Sequence, residues 1–292
     1  MTGSRKVNNS LRFEALVLNE LQQHGLKMVN NDGYQIPRKW DSDVEKAHRK
    51  SASWAATKII EREEGLTSIE ATGNKKSRQL VVYRDAQEIA LSCRYNRSPS
   101  ELNGSRITPD SHSIPALEMT ISTSEKYQSA CNKVSSTLNK YANRFARFSN
   151  VPDALKVQNI YRPLRDALYE ELVTLNKTPG FAKRLFMAAF GDADYYLVQG
   201  GSTTKLVGYN FKGSLNCSRV SHPSTIDTIT TNGSKENDLT VHFCGGWQFR
   251  WKLIIKDSNI KAGSIGITLS IDGHPAIAYT EVMPEKYAPK QF

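Results

Sequence analysis

The sequence predicts an α/β chain whose helices surround a strand pair and whose last hundred residues turn to antiparallel β structure. Three observations carry this reading. Apolar residues recur with helical spacing over 10–23, 41–64, a long stretch from 124, then 163–176 and 180–190. Two short apolar runs, Arg78–Arg84 and Glu88–Arg94, are separated only by Asp85-Ala86-Gln87, a connection short enough for a hairpin. Beyond residue 191 the pattern alternates with period two in Thr204–Phe211, Leu239–Phe243, Gly246–Lys256 and Ser264–Ile271. The expected organisation is an α/β core with a helical region over 1–190, and a β-rich region over 191–292 packed on that core.

Taken in order, the first helix is capped by Ser10 and presents Phe13, Leu16, Val17, Leu18 and Leu21 as its apolar arc. Glu14 falls inside that arc, so its carboxylate is either paired in the fold or functional. The second helix starts at Asp41 or Ser42 and stops before Gly65. Residues 96–115, rich in Ser, Pro, Asn and Gly, read as a long loop. Ser122 and Glu125 form a capping box for the long helix, whose stripe is Tyr127, Cys131, Val134, Leu138, Tyr141, Phe145 and Phe148. Lys126, Lys133, Lys140 and Arg147 recur every seventh residue and share another face. That row suits a phosphate backbone and equally suits an ordinary solvated face. Asn232-Gly233 is a turn signal. From Trp247 onward, Trp247, Phe249, Trp251, Leu253 and Ile255 point one way while Gln248, Arg250, Lys252 and Lys256 point the other. A cationic strand face can press on DNA, with Arg and Gln reading base edges; it is also what a sheet with one wet side looks like.

Composition narrows the function classes. Lys and Arg number 39 against 29 acids, a formal charge of +10 with a pI near 9.3, which favours a polyanionic partner. Residues 124–184 hold 11 basic and 5 acidic residues. The four cysteines (Cys93, Cys131, Cys217, Cys244) are scattered, without the short spacings of a zinc site, and read as reduced thiols. No run approaches the roughly 18 apolar residues of a membrane span, and the opening MTGSRKVNNS lacks a secretory h-region, so a cytoplasmic protein is expected. There is no GxGxxG after a strand, no P-loop, no HExxH and no GxSxG elbow, and the six histidines are widely spaced.

Several segments, in order, carry a resemblance. They are Asn8–Glu14, Arg38–Trp40, Ser51–Ala56, Glu88–Arg94 running into Tyr95-Asn96, Ser105–Ile107, Ile226–Ile229, Leu239–Phe243 and Gly246–Arg250. Together they resemble the HaeIII-type family of type II restriction endonucleases. The resemblance implies a PD-(D/E)xK nuclease core, a mixed sheet flanked by helices, that hydrolyses duplex DNA with Mg²⁺. It implies a homodimer on a short GC-rich palindrome and a cognate DNA methyltransferase in the same system. In such a centre, carboxylates hold the metal, the metal acidifies a water, and a Lys orients it.

Carried over residue by residue, the family's Lys falls on Arg94, the polar position before it on Ser92, and the helical acid on Glu14. The metal-binding Asp falls on Gln79, after Arg78, and the earlier acid of that motif is lost near Lys76 or Ser77. Glu88 shares a strand face with Ser92 and Arg94, and Glu14 and Glu88 are the remaining candidate metal ligands. Asn96 and Arg106 join Lys126, Lys133, Lys140, Arg147, Gln248, Arg250 and Lys252 as DNA-contact candidates. A neutral amide is a weak ligand for a hard dication, and a guanidinium is not an ammonium. Three readings stay open. One is a DNA-binding relative with impaired cleavage, the second an active enzyme with a divergent centre, the third an unrelated basic α/β binding protein.

Overall fold

The computed structural model describes residues 9–30, 42–72, 80–95, 105–107, 114, 123–191, 193–200, 203–231, 236–256, 260–275 and 279–284. The chain divides into two interleaved units: 1–99, 192–221 and 276–292 form one, 100–191 and 222–275 the other. The sequence predicts a single consecutive boundary near 190 instead. Strands pair across about a hundred residues, which no local pattern encodes.

The first unit opens with α1 (Asn9–Gln23), β1 (Lys27–Asn30) and α2 (Ser42–Arg62), followed by β2 (Ser68–Ala71), β3 (Leu80–Arg84) and β4 (Gln87–Tyr95). The chain passes through β5 (Ser105–Ile107) and the helices of the second unit, then resumes the first with β6 (Tyr195–Gly200) and β7 (Thr203–Gly208). After β8 to β11 of the second unit, β12 (Tyr279–Val282) returns to the first. Its sheet runs β1-β2-β3-β4-β6-β7-β12. The pairs β1/β2 and β4/β6 are parallel and the rest antiparallel, so the sheet is mixed.

The predicted arc of α1 is buried in full, and α2 adds Ala52, Ala55, Ala56 and Ile59, small residues at helical spacing that let it pack closely. Both helices bury these faces with Ile69, Leu80, Val82, Ile89, Leu91, Cys93, Tyr195, Leu197 and Leu206, one side of the sheet. The hairpin between β3 and β4 turns at Asp85-Ala86, with Asp85 in the left-handed region (φ 52°) that Asp tolerates better than most residues. Helix α1 begins at Asn9, so Ser10 lies inside it rather than capping it.

The second unit holds β5, α3 (Glu125–Arg144), α4 (Asp153–Lys156), a π-turn (Val157–Tyr161), α5 (Arg162–Leu175) and α6 (Phe181–Phe190). Its strands β8 (Ile226–Thr231), β9 (Asp238–Phe243), β10 (Trp247–Ile254) and β11 (Ile265–Gly273) join β5 in an antiparallel sheet, β5-β11-β10-β9-β8. The alternation read on β10 holds: Trp247, Phe249, Trp251 and Leu253 are buried. Phe186 of α6 stacks on Phe249 at 5.0 Å and meets the edge of Trp247 at 5.0 Å, which closes the inner face.

Three local expectations change. The cap of α3 is Ser124, whose Oγ accepts from the Tyr127 N–H at 3.2 Å, rather than Ser122, which lies outside the described residues. Glu171 of α5 accepts from both the Ser124 N–H and its hydroxyl, so the cap is fixed by tertiary contact. The stripe leaves α3 after Arg144: Phe145 is extended, and Phe148 is buried from a 3₁₀ turn. Within the expected 96–115 loop, Ser105–Ile107 pair with β11. Asn232-Gly233 lies outside the described residues. Among those described, no helix is long and apolar enough to cross a membrane.

Candidate active site and nucleic-acid interface

The mapped centre should lie where β3 begins and β4 ends. Leu80 pairs with Leu91, so Gln79, outside the described residues along with Arg78, Ser77 and Lys76, directly precedes that register. Ser92 and Arg94 are both buried, Arg94 to 8 % exposure. Alternation sets them on the sheet face opposite α1 and α2, with Ala90. There the Arg94 guanidinium lies 4.6 Å from the centre of the Tyr196 ring. Burial pushes the nearby Tyr209 hydroxyl up to about 12, with the Arg94 charge pulling the other way. The guanidinium thus lies over one aromatic face, an arrangement that stabilises a desolvated cation by about 2 kcal/mol.

Glu14 reaches the same end of β4 from the other side. It is 1 % exposed, and after burial itself its charge is the second cause that raises the Cys93 thiol well above its ordinary value. Cys93 points into the helix-side core. Glu14 and Arg94 therefore meet one strand end from opposite faces rather than one pocket from one side. Glu88 is exposed and pairs with Tyr83 beside the hairpin turn. Six residues of strand separate it from Arg94, about 20 Å at roughly 3.3 Å per residue, too far to share a phosphate. Among the described residues no three His, Cys, Asp or Glu converge as metal ligands.

A buried acid that the sequence reading passed over is Asp194, 1 % exposed just before β6. Its carboxylate accepts from the Ala90 N–H at 2.8 Å and the Ser214 hydroxyl at 3.0 Å, and the Lys212 ammonium stands 3.5 Å away. Burial raises its pKa, and those three partners pull it back. Asp194 stands opposite Ala90, four residues before the level of Arg94, and anchors the β4/β6 junction. Nothing in the run Gly191-Asp-Ala-Asp194 distinguishes this acid from its neighbour Asp192.

The cationic candidates lie elsewhere. Lys126, Lys133 and Lys140 are exposed along α3, with Lys126 paired to Glu170, and Arg147 is exposed beyond the helix end. On the second sheet, Gln248, Arg250 and Lys252 share the outer face of β10. Across β9 they face His242, Thr240 and Asp238 in turn, and beyond these stand Thr228 and Thr230 of β8. His242 Nε2 is 2.9 Å from the Thr230 hydroxyl oxygen. On β11, Ser270 and Thr268 lie opposite Arg250 and Lys252, and Arg106 of β5 is in register with Gly266. Asn96 is outside the described residues. Hydroxyl side chains, together with His242 and Asp238, thus surround three long polar ones.

A family model described as HaeIII restriction endonuclease matches residues 66–262, from just before β2 to the turn before β11. The chain belongs to the HaeIII restriction endonuclease family. No curated protein and no solved structure matches it. The matched span includes the β3/β4 hairpin and β8–β10, while α1 with Glu14 precedes it. As a HaeIII-family chain, this protein shows the α/β organisation expected, a mixed sheet with helices plus an antiparallel β-rich region.

Proposed function

We propose that this chain is a site-specific double-stranded-DNA-binding protein of nuclease ancestry whose cleavage is impaired. The observation that carries the reading is the outer face of β8–β11, where Gln248, Arg250 and Lys252 rise among Thr, Ser and His242, with Asp272 against Arg250 and Asp238 across from Lys252, above a tightly packed aromatic layer. A polar, hydroxyl-rich face suits base-edge contacts, and the α3 lysines supply positive charge for phosphates. Impairment follows from the register that sets an amide at 79 and a guanidinium at 94. Arg94 is buried over the Tyr196 ring, and a guanidinium does not serve as the proton acceptor that a Lys can become. Losing the acid and the Lys together costs several kcal/mol of transition-state stabilisation, on the order of the losses seen for single oxyanion donors.

The second reading is an active enzyme with a divergent centre. It is favoured by Glu14 standing at the strand end that carries Ser92 and Arg94. That reading brings with it Mg²⁺, a second copy of the chain on a palindrome, a cognate DNA methyltransferase to protect the host genome, and a cytoplasmic setting.

Two assays divide the readings. Salt-titrated binding to a duplex should give a log–log slope of several units, and affinity indifferent to salt would end the DNA-binding proposal. Supercoiled plasmid incubated with Mg²⁺ or Mn²⁺ should remain uncut at enzyme concentrations that saturate binding. Discrete fragments would establish the active enzyme instead.

A further inference from the structure

Strand β11 carries one residue more than the strand it faces. Gln248 pairs with Gly273 and Phe249 with Ile271, so Asp272 is the extra residue of a β-bulge. We infer that this bulge pre-organises Gln248 and Arg250 as the pair that reads base edges in a duplex groove, with Asp272 and Gly273 as positioning residues. The inference rests on the DNA-binding reading and names the side chains that would supply its specificity.

Each side chain is fixed by a different part of the bulge. The Asp272 carboxylate accepts from the Arg250 guanidinium at 2.6 Å. Gly273 leaves room for the Gln248 amide: a Cβ there would come within 3.1 Å of Gln248 Cδ and 3.3 Å of its Oε1. Both long side chains therefore project from the sheet in set directions, two residues apart on one face and about 6.6 Å along the strand. That distance is close to two base-pair steps at roughly 3.4 Å each. Arg250 is flanked across the sheet by the short Thr240 and Ser270, and Gln248 by Gly273 on one side and His242 on the other.

The carboxylate decides between two roles for Arg250. An arginine meant for phosphate gains nothing from an adjacent acid, whose charge repels the backbone. An arginine meant for a base edge gains a fixed plane, and the N–H groups not used by Asp272 can still meet guanine O6 and N7, while an ordered Gln amide matches adenine N6 and N7. Stability gives no competing reason for the pair, because the Arg250 and Asp272 side chains are 36 % and 29 % exposed and such surface pairs contribute little. Lys252 is exposed, is a point charge rather than a planar fork, and suits phosphate better than a base edge.

The test is selection by the full chain from duplexes with randomised central base pairs, with the retained pool sequenced. It is run on the wild type and on Asp272→Asn, Arg250→Lys and Gly273→Ala, each checked for native circular dichroism. The wild type should enrich a motif. Asp272→Asn and Arg250→Lys should each lower the preference for one guanine about tenfold, and Gly273→Ala should blunt a different position. The salt slope on a non-enriched duplex should not change. Arg250→Lys keeps the test decisive if Asp272→Asn does not fold. Variant pools identical to that of the wild type would overturn the inference while duplex binding stands, as would wild-type binding without base preference. A wild type that retains no duplex would overturn the DNA-binding reading and this inference with it.

Discussion

Gly208→Ala isolates a single close approach in the first unit. Gly208 lies opposite Tyr195 in the β6/β7 register, and a Cβ there would come within 2.7 Å of Tyr195 Cε1 and 3.3 Å of Leu215 Cδ1. The ring cannot easily step aside, because its hydroxyl donates to the buried Glu63 carboxylate at 2.6 Å and its body is fully buried. Gly208 has an ordinary negative or extended φ, so alanine carries no backbone strain and should gain about 0.4–1 kcal/mol through the unfolded chain. Overpacking of this severity costs about 1–3 kcal/mol, so a net loss of about 1–2 kcal/mol is predicted. Urea unfolding followed by far-ultraviolet circular dichroism measures it, with an unchanged slope showing that the same transition is compared.

A double-mutant cycle sharpens the argument. Tyr195→Phe should itself cost about 1–2 kcal/mol, since Glu63 keeps the Asn216 N–H but loses the phenol. Freed of that tether, the ring can yield, so Gly208→Ala should cost about 1 kcal/mol less in the Phe background. Strict additivity, or a Gly208→Ala midpoint at or above wild type, would refute the picture of a pinned ring.

Four further outcomes are expected. Arg94→Lys combined with Gln79→Asp should give metal-dependent nicking of supercoiled plasmid where the wild type gives none, and no gain would place the mapped register in error. Lys133→Ala or Lys140→Ala should each lower the salt slope of duplex binding by about one unit, read from filter-binding titrations. Lys126→Ala should change it less, because Glu170 already offsets that charge. Phe186→Ala should cost about 3–5 kcal/mol in urea, because its ring touches Phe190, Phe243, Trp247 and Phe249 and leaves a void behind β10. Finally, Asp194 has a raised folded pKa, so the native state binds its proton more tightly than the unfolded chain. Its contribution is fully present below the ordinary Asp value of 3.8 and is lost as pH rises through the folded value. The stability of wild type relative to Asp194→Asn should therefore fall as pH rises above 3.8, and a difference that grew with pH would contradict the burial argument.

Which parts were legible follows from what local sequence can encode. The β10 alternation and the α1 arc were plain, because each element buries one side and wets or distinguishes the other. Strand β6 was not: Tyr195, Tyr196, Leu197 and Val198 are all buried, so no period separates it from any apolar run. Strand β5 hid in a stretch of turn-forming residues, and Ser122 displaced Ser124 because Glu171, which secures the true cap, is 47 residues away. At the candidate centre, Glu14 announced itself as an acid among leucines. The contact of Tyr196 with Arg94 could not be seen, since it depends on β4 lying beside β6. The bulge at Asp272 was equally silent, because the run Ser264–Ile271 ends where the extra residue begins.

The pairing of β4 with β6 has a consequence for how this polypeptide is made. Ala90 waits 104 residues for the acid that caps its amide, and β12 is made only after all of β8 to β11. Until then a nascent chain displays the bare edge of β4, with its row of unpaired amides and carbonyls, as a template for any passing strand. Such long-range closures are slow, so synthesis should favour chaperone holding and low temperature. The polypeptide crosses between its two units at 99/100, 191/192, 221/222 and 275/276, so no single cut separates one unit from the other.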